Sequence, residues 1–148
     1  MEKTTTAEKE ILTKLYKNAK MGEDSVSKLL TKVSDAALRK SMTEQKEAYC
    51  GYAKKIKALL SARGEEAKEE TPLTKFWSSI GITMNTIMDA SASHVAEMMI
   101  EGSTMGVTDT TKLINEYEQA PDCKEAIELA REIVRFEQDN IEIMKKYL

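Results

Sequence analysis

Residues 64–90 read GEEAKEETPLTKFWSSIGITMNTIMDA, and the fold turns on how this stretch is placed. It opens with Gly64 and a charged run, Glu65 to Glu70, which end the helical pattern before them. Thr71-Pro72 then supplies a start signal, because proline is tolerated in a first turn whose N–H groups have no intrahelical partner. Beyond it Trp77, Ile80, Met84, Ile87 and Met88 recur at helical spacing, and the polar cluster from Asp89 to Ser93 offers caps for a new helix. A helix running unbroken from 72 to 119 would be roughly 70 Å long and would overhang its neighbours. The stretch is therefore read as a long, partly helical connection between two pairs of longer helices.

Apolar residues on both sides recur every three or four positions, and no alternating strand pattern occurs. The first stripe runs through Ile11, Leu12, Leu15, Ala19, Gly22, Val26, Leu29 and Val33. Ser34 and Asp35, both good N-caps, interrupt it. A second stripe follows through Leu38, Met42, Gln45, Tyr49, Tyr52, Ile56 and Leu60. A third carries Val95, Met98, Met99, Gly102, Gly106, Leu113 and Tyr117, and Pro121 separates it from a fourth. Helices are expected at about 6–33, 35–63, 91–119 and 121–147, each about 40 Å long at helical rise. Short turns make 1 with 2, and 3 with 4, antiparallel hairpins. Two hairpins joined by the long crossover at about 64–90 form a ferritin-like four-helix bundle, in one domain over 1–148.

Composition agrees with an all-α chain and limits its chemistry. Apolar residues make up 41% and charged residues 32%, enough of each for a folded domain, while aromatics are only 5%. One histidine and two cysteines cannot assemble a zinc finger. A net charge of −3 with mixed signs argues against nucleic acid as a partner. The N-terminus lacks a signal peptide's apolar core, and the longest uncharged run, Phe76 to Met88, is too short to span a bilayer. The expectation is a cytoplasmic protein that engages no membrane, with Cys50 and Cys123 as reduced thiols.

If the crossover makes helices 2 and 3 parallel, then Glu23, Gln45, Glu101 and Glu137 stand at one height, about mid-bundle. Glu137 falls at the centre of its apolar stripe and Gln45 lies inside its own, whereas Glu23 and Glu101 lie at stripe edges. The plain reading of Glu137 is a buried acid held by Gln45, Tyr49 or Tyr52, since stranding a carboxylate costs several kcal/mol. Di-iron bundles place their metal at this level, with one Glu from each of two helices and Glu-x-x-His from the other two. Here helix 2 offers Gln45-Lys46-Glu47-Ala48 and helix 4 offers Glu137-Gln138-Asp139-Asn140, with no histidine in either. No metal or cofactor is expected; the alternative is iron or manganese on Glu23, His94, Glu101 and Glu137. His94 itself reads as a boundary residue near the Ser91 cap, paired with Glu97 one turn on.

The methionines cluster on helix 3 and the crossover, where helical spacing makes them core filler. Gly102 and Gly106 on the inner face of helix 3 permit close helix approach or loosen the helix. Glu8 and Asp109 project inward near the bundle ends, where solvation serves them. Ile100, Val107 and Ile114 form a second apolar seam on helix 3, and Leu129, Phe136 and Ile143 form one on helix 4. Both lie about 100° or more from the main stripes. The crossover is expected to cover one and a second copy of the chain the other, giving a homodimer.

The stretch Asp89-Ala-Ser-Ala-Ser-His94-Val-Ala-Glu97-Met-Met-Ile-Glu-Gly102-Ser-Thr-Met-Gly106 resembles uncharacterised bacterial ferritin-like bundle proteins, chiefly of clostridial type. Lys17 to Ser25 and Phe136 to Ile141 resemble the same group. The resemblance implies a ferritin-like four-helix bundle and carries over no catalytic residues. The chain departs from the ferritin and rubrerythrin pattern at both Glu-x-x-His positions, which removes ligands that oxidase or iron-storage activity needs. The function expected is non-enzymatic, acting by protein–protein association. The alternatives are a metal-binding protein or oxidoreductase built on the mid-bundle carboxylates, and a small-molecule carrier with Tyr49 and Tyr52 facing Glu137 in a methionine-lined cavity.

Overall fold

Helix ends define the architecture of this computed structural model, which describes residues 6–67 and 91–148. Helix α1 spans Thr6–Leu30, α2 Ala36–Ala62, α3 Ala92–Tyr117 and α4 Lys124–Lys145; no strand occurs among the described residues. The described residues are thus all-α, in four helices. Most of the 64–90 connection, including Phe76, Trp77, Ile80 and Ile82, lies outside the described residues.

Both turns start from sequence signals and then depart from them in detail. After Leu30 the chain tightens, with the amides of Thr31, Lys32 and Val33 each donating to the carbonyl three residues back, so α1 stops short of residue 33. Asp35 caps α2 by accepting from the Leu38 amide at 2.8 Å. Arg39, one turn into α2, reaches back to the carbonyls of Leu30 and Val33 at 2.6 and 2.8 Å. It thereby satisfies orphan acceptors that a helix C-terminus leaves open. At the other turn Pro121 does not open α4. Asp122 takes a left-handed φ of 63°, and the helix starts only after Cys123. Both cysteines are free thiols.

Contacts between helix ends give the directions. Arg63, just past α2, pairs with Glu8 in the first turn of α1 and stands 3.6 Å from Glu125 in the first turn of α4. Tyr117 at the end of α3 donates to Glu10 near the start of α1. Ser41 near the start of α2 meets Tyr147, just past α4, at 3.2 Å. Helices α1 and α4 therefore begin at the end where α2 and α3 finish. Helices α2 and α3 run the same way. Glu8 does not meet solvent as its terminal position suggests; it is buried against Arg63.

The core has two clusters stacked along the axis. One holds Ile11, Leu15, Ala19, Ala53, Leu60, Leu113 and Ile133; the other holds Val26, Leu29, Met42, Met98, Met99 and Met144. On every helix the boundary between them falls at mid-height.

The second apolar seams do not form an outer face. Leu129 and Ile114 are buried in the first cluster. Phe136 packs beneath α2, with ring centroids 5.0 Å from Tyr49 at a near-perpendicular 82° and 5.2 Å from Tyr52. Ile100 packs on the second cluster and Val107 is half-buried. The reason is geometric: a bundle helix packs against a hairpin partner as well as a facing helix, so its buried arc is wider than one stripe. Of the six seam residues only Ile143 counts as exposed, at 36%.

Candidate functional site

Where the two core clusters meet, a buried tyrosine–glutamate pair from α2 and α4 is flanked by glycines of α1 and α3. Tyr49 on α2 donates its hydroxyl to Oε2 of Glu137 on α4 at 2.7 Å, joining the two hairpins inside the protein. Glycines on the other two helices make room for the pair. A Cβ on Gly22 of α1 would lie 2.5 Å from the Tyr49 ring, and one on Gly106 of α3 would lie 2.8 Å from Oε1 of Glu137. The first would clash with a rigid ring and the second would push the carboxylate aside, so α1 packs against Tyr49 and α3 against Glu137 where no side chain intervenes.

Burial sets the electrostatics of this layer. Glu137 is 5% exposed, and desolvation pushes its carboxyl up from 4.5 to about 7, against the opposing effect of hydrogen bonds from Tyr49 and Ser103. Burial, and then the charge of Glu137, hold the Tyr49 phenol well above its ordinary value. The phenol is consequently a donor across the accessible pH range. No lysine, arginine or histidine among the described residues forms an ion pair with Glu137. The group is a buried acid held by neutral donors.

A cavity of about 50 Å³ opens beside it between α1 and α3. That is several times the roughly 10–15 Å³ that one water needs. Met21, Met98, Met99, Met105, Val26 and Leu29 give it apolar walls, and Gly22, Gly102 and Gly106 its width. Its polar groups are Glu137, Tyr49, Ser25, Ser103, Asn18 and Asp109. The hydroxyl of Ser25 is buried with no hydrogen-bond partner. Asp109 is exposed.

Of the five residues expected in a mid-bundle layer, the structure brings Tyr49 and Glu137 together. Gln45 is buried at 4% exposure, but its amide meets no partner. Glu23 turns to Lys20, 3.3 Å away on its own helix, and Glu101 is half-buried. Equal height is not equal direction: at 100° per residue, Gly22 rather than Glu23 faces the pair. His94 lies 3.9 Å from Glu97, and its amide donates to the Ser91 cap at 3.2 Å. Among the described residues no three His, Cys, Asp or Glu side chains gather as a metal-binding group. Glu23, His94, Glu101 and Glu137 do not converge, so the residues present do not fit a ferritin-type dinuclear centre. Ser25 and Ser103 were missed in the sequence. Their signal was small residues at inward positions of the same height, Gly22 with Ser25 and Gly102 with Ser103 and Gly106.

No family model matches the chain, and no curated protein matches it in sequence. Among solved structures, the crystal structure of a DUF305 fragment from Deinococcus radiodurans is similar, with a TM-score of 0.76 at 15% identity. The likeness covers 98% of this chain and 97% of that one. At that identity it is a likeness of fold, an all-helical domain. No helix among the described residues is long and apolar enough to cross a membrane.

Two predictions follow from the layer. Gly22→Ala should destabilise the protein by about 1–3 kcal/mol through overpacking against Tyr49, despite alanine's better helix propensity. Gly51→Ala on α2, where an added Cβ meets nothing within 4 Å, should stabilise by about 0.5–1 kcal/mol. Urea denaturation reads both, and equal effects at the two sites would contradict the close approach. The second concerns pH. Folded Glu137 binds its proton more tightly than the unfolded chain, so its stabilising effect is full below about 4.5 and is lost as pH rises to about 7. The loss is about 3 kcal/mol in all. Glu137→Gln keeps an acceptor for Tyr49 without the charge, so its stability relative to wild type should climb from pH 5 to 7 and level above 8. A difference independent of pH would rule out a raised pKa at Glu137.

Proposed function

We propose that this chain is a non-enzymatic binding bundle of ferritin-like topology that holds a small ligand between α1 and α3, against Glu137. The observation that carries the reading is a buried carboxylate at the wall of a small apolar cavity that also presents an unpaired buried hydroxyl, Ser25. Ligand sites are concave and mostly apolar, with a few convergent polar groups, and perturbed acids concentrate at them. A carboxylate kept only for structure would be served as well by glutamine, which could accept the same Tyr49 bond at no cost in burying charge. The parallel course of α2 and α3 supports the ferritin-like topology. Two free thiols suit a cytoplasmic setting.

Association into a homodimer is the weaker of the two expected modes of action. The seams that suggested it are largely covered within the chain, and the exposed large apolar side chains among the described residues are Ile143 and Leu148. The cavity is therefore the favoured site of action.

Ser25→Val tests this reading directly. It adds methyl groups at the cavity wall and removes a hydroxyl that has no partner, so the fold should be kept or slightly stabilised. In an NMR fragment screen, compounds that shift the amides of Gly102, Ser103 and Gly106 in wild type should lose that effect in Ser25→Val. A screen in which no compound shifts these amides, or shifts that persist in Ser25→Val, would overturn the reading.

A further inference from the structure

We propose that the ligand taken by this cavity is a protonated primary amine on a short apolar chain, its ammonium group against the Glu137 carboxylate and its chain among the methionines. The inference rests on the cavity being a binding site and adds the chemistry of its occupant. Charge complementarity carries it. Among the described residues, those lining the cavity include two carboxylates, Glu137 and Asp109, and no lysine, arginine or histidine, while Lys14, Lys17 and Lys112 line a neighbouring groove with Asp109. Glu137 is thus a buried acid whose partners are neutral hydroxyl groups, one on Oε2 from Tyr49. Among the described residues the site holds no cation. An ammonium group brings three donors and no acceptor, and two acceptors stand in the wall for it, the carboxylate and the unpaired Ser25 hydroxyl. A ligand carboxylate would instead meet like charge from Glu137, and an alcohol would gain only a neutral hydrogen bond. The rest of the wall, Met21, Met98 and Met99 with Val26 and Leu29, gives polarisable apolar surface to a short hydrocarbon chain.

The cavity volume restricts the chain to a few carbons, so propylammonium is the probe, with 1-propanol and propionate as the alcohol and acid of the same length. Each is titrated into the full-length protein at pH 8 while the amides of Gly102, Ser103 and Gly106 are followed by NMR. Propylammonium is expected to bind about tenfold or more tightly than either comparator, as a charged rather than neutral hydrogen bond implies. Glu137→Gln should reduce its affinity about tenfold and leave that of 1-propanol nearly unchanged. Binding of the amine should also weaken as pH falls from 8 to 6, since the ammonium stays charged while Glu137 takes up its proton. Among the described residues lining the cavity, the titratable groups besides Glu137 are Tyr49 from α2 and Asp109 from α3; α1 contributes Asn18, Met21, Gly22, Ser25, Val26 and Leu29, none of which titrates.

The outcomes separate the two levels of the argument. Preferential amine binding that Glu137→Gln and acid both weaken establishes the assignment. Binding of 1-propanol or propionate as tightly as the amine overturns it and leaves the cavity as a site for another ligand class. Amine binding that survives Glu137→Gln unchanged overturns it as well. If none of the three probes shifts the cavity amides, the assignment falls, and the fragment screen decides whether the binding reading falls with it.

Discussion

A single buried hydrogen bond, from the Tyr49 hydroxyl to the Glu137 carboxylate, ties the α1–α2 hairpin to the α3–α4 hairpin at the middle of the bundle. Its surroundings follow from what that contact requires. An acid cannot sit among leucines without a donor, so a phenol stands opposite it. Ring and carboxylate need space, so the two remaining helices present Gly22 and Gly106 at that height. The apolar core divides into a cluster on either side, because the layer between them is polar and small. The cavity beside Glu137 is lined by the same glycines, with methionines of α1 and α3 completing its wall.

This arrangement lowers stability at neutral pH, and that cost is informative. With a carboxyl raised to about 7, the protein folds most favourably with Glu137 protonated and is under strain when it is charged. Tyr49 and Ser103 reduce the penalty without removing it. Protonation removes it at low pH, and a cation brought into the space between α1 and α3 would offset it at neutral pH. The raised pKa and the cavity thus lie at one place in the bundle, beside Glu137.

The helices were legible because their apolar spacing is nearly unbroken and Asp35 and Ser91 occupy true N-cap positions. The burial of Glu137 was legible too, since it sits at the centre of a stripe. The metal-like layer misled because it was built on height alone. Counting residues from helix ends placed Glu23 and Glu101 level with Glu137, but rotation about the helix axis decided that Gly22 and Gly106 face it. The seams misled for a related reason. Leu129, Phe136 and Ile114 look outward only if each helix has one buried face, whereas the hairpin partner buries a second. Hairpin ends resisted reading where backbone conformation intervened, as at Asp122, whose left-handed φ delays α4 past Pro121. The structural likeness to a DUF305 fragment supports the fold at an identity too low to carry a function with it.

Everything rests on Glu137 being a buried acid that lacks a cation, and its own titration reports that most directly. Carbon-detected NMR of the folded, ligand-free protein can follow the side-chain carboxyl resonance of Glu137 from pH 4 to 9, assigned by its loss in Glu137→Gln. The account predicts a midpoint near 7. A midpoint at the ordinary 4.5 would mean that the carboxylate is solvated or already paired, and would contradict it.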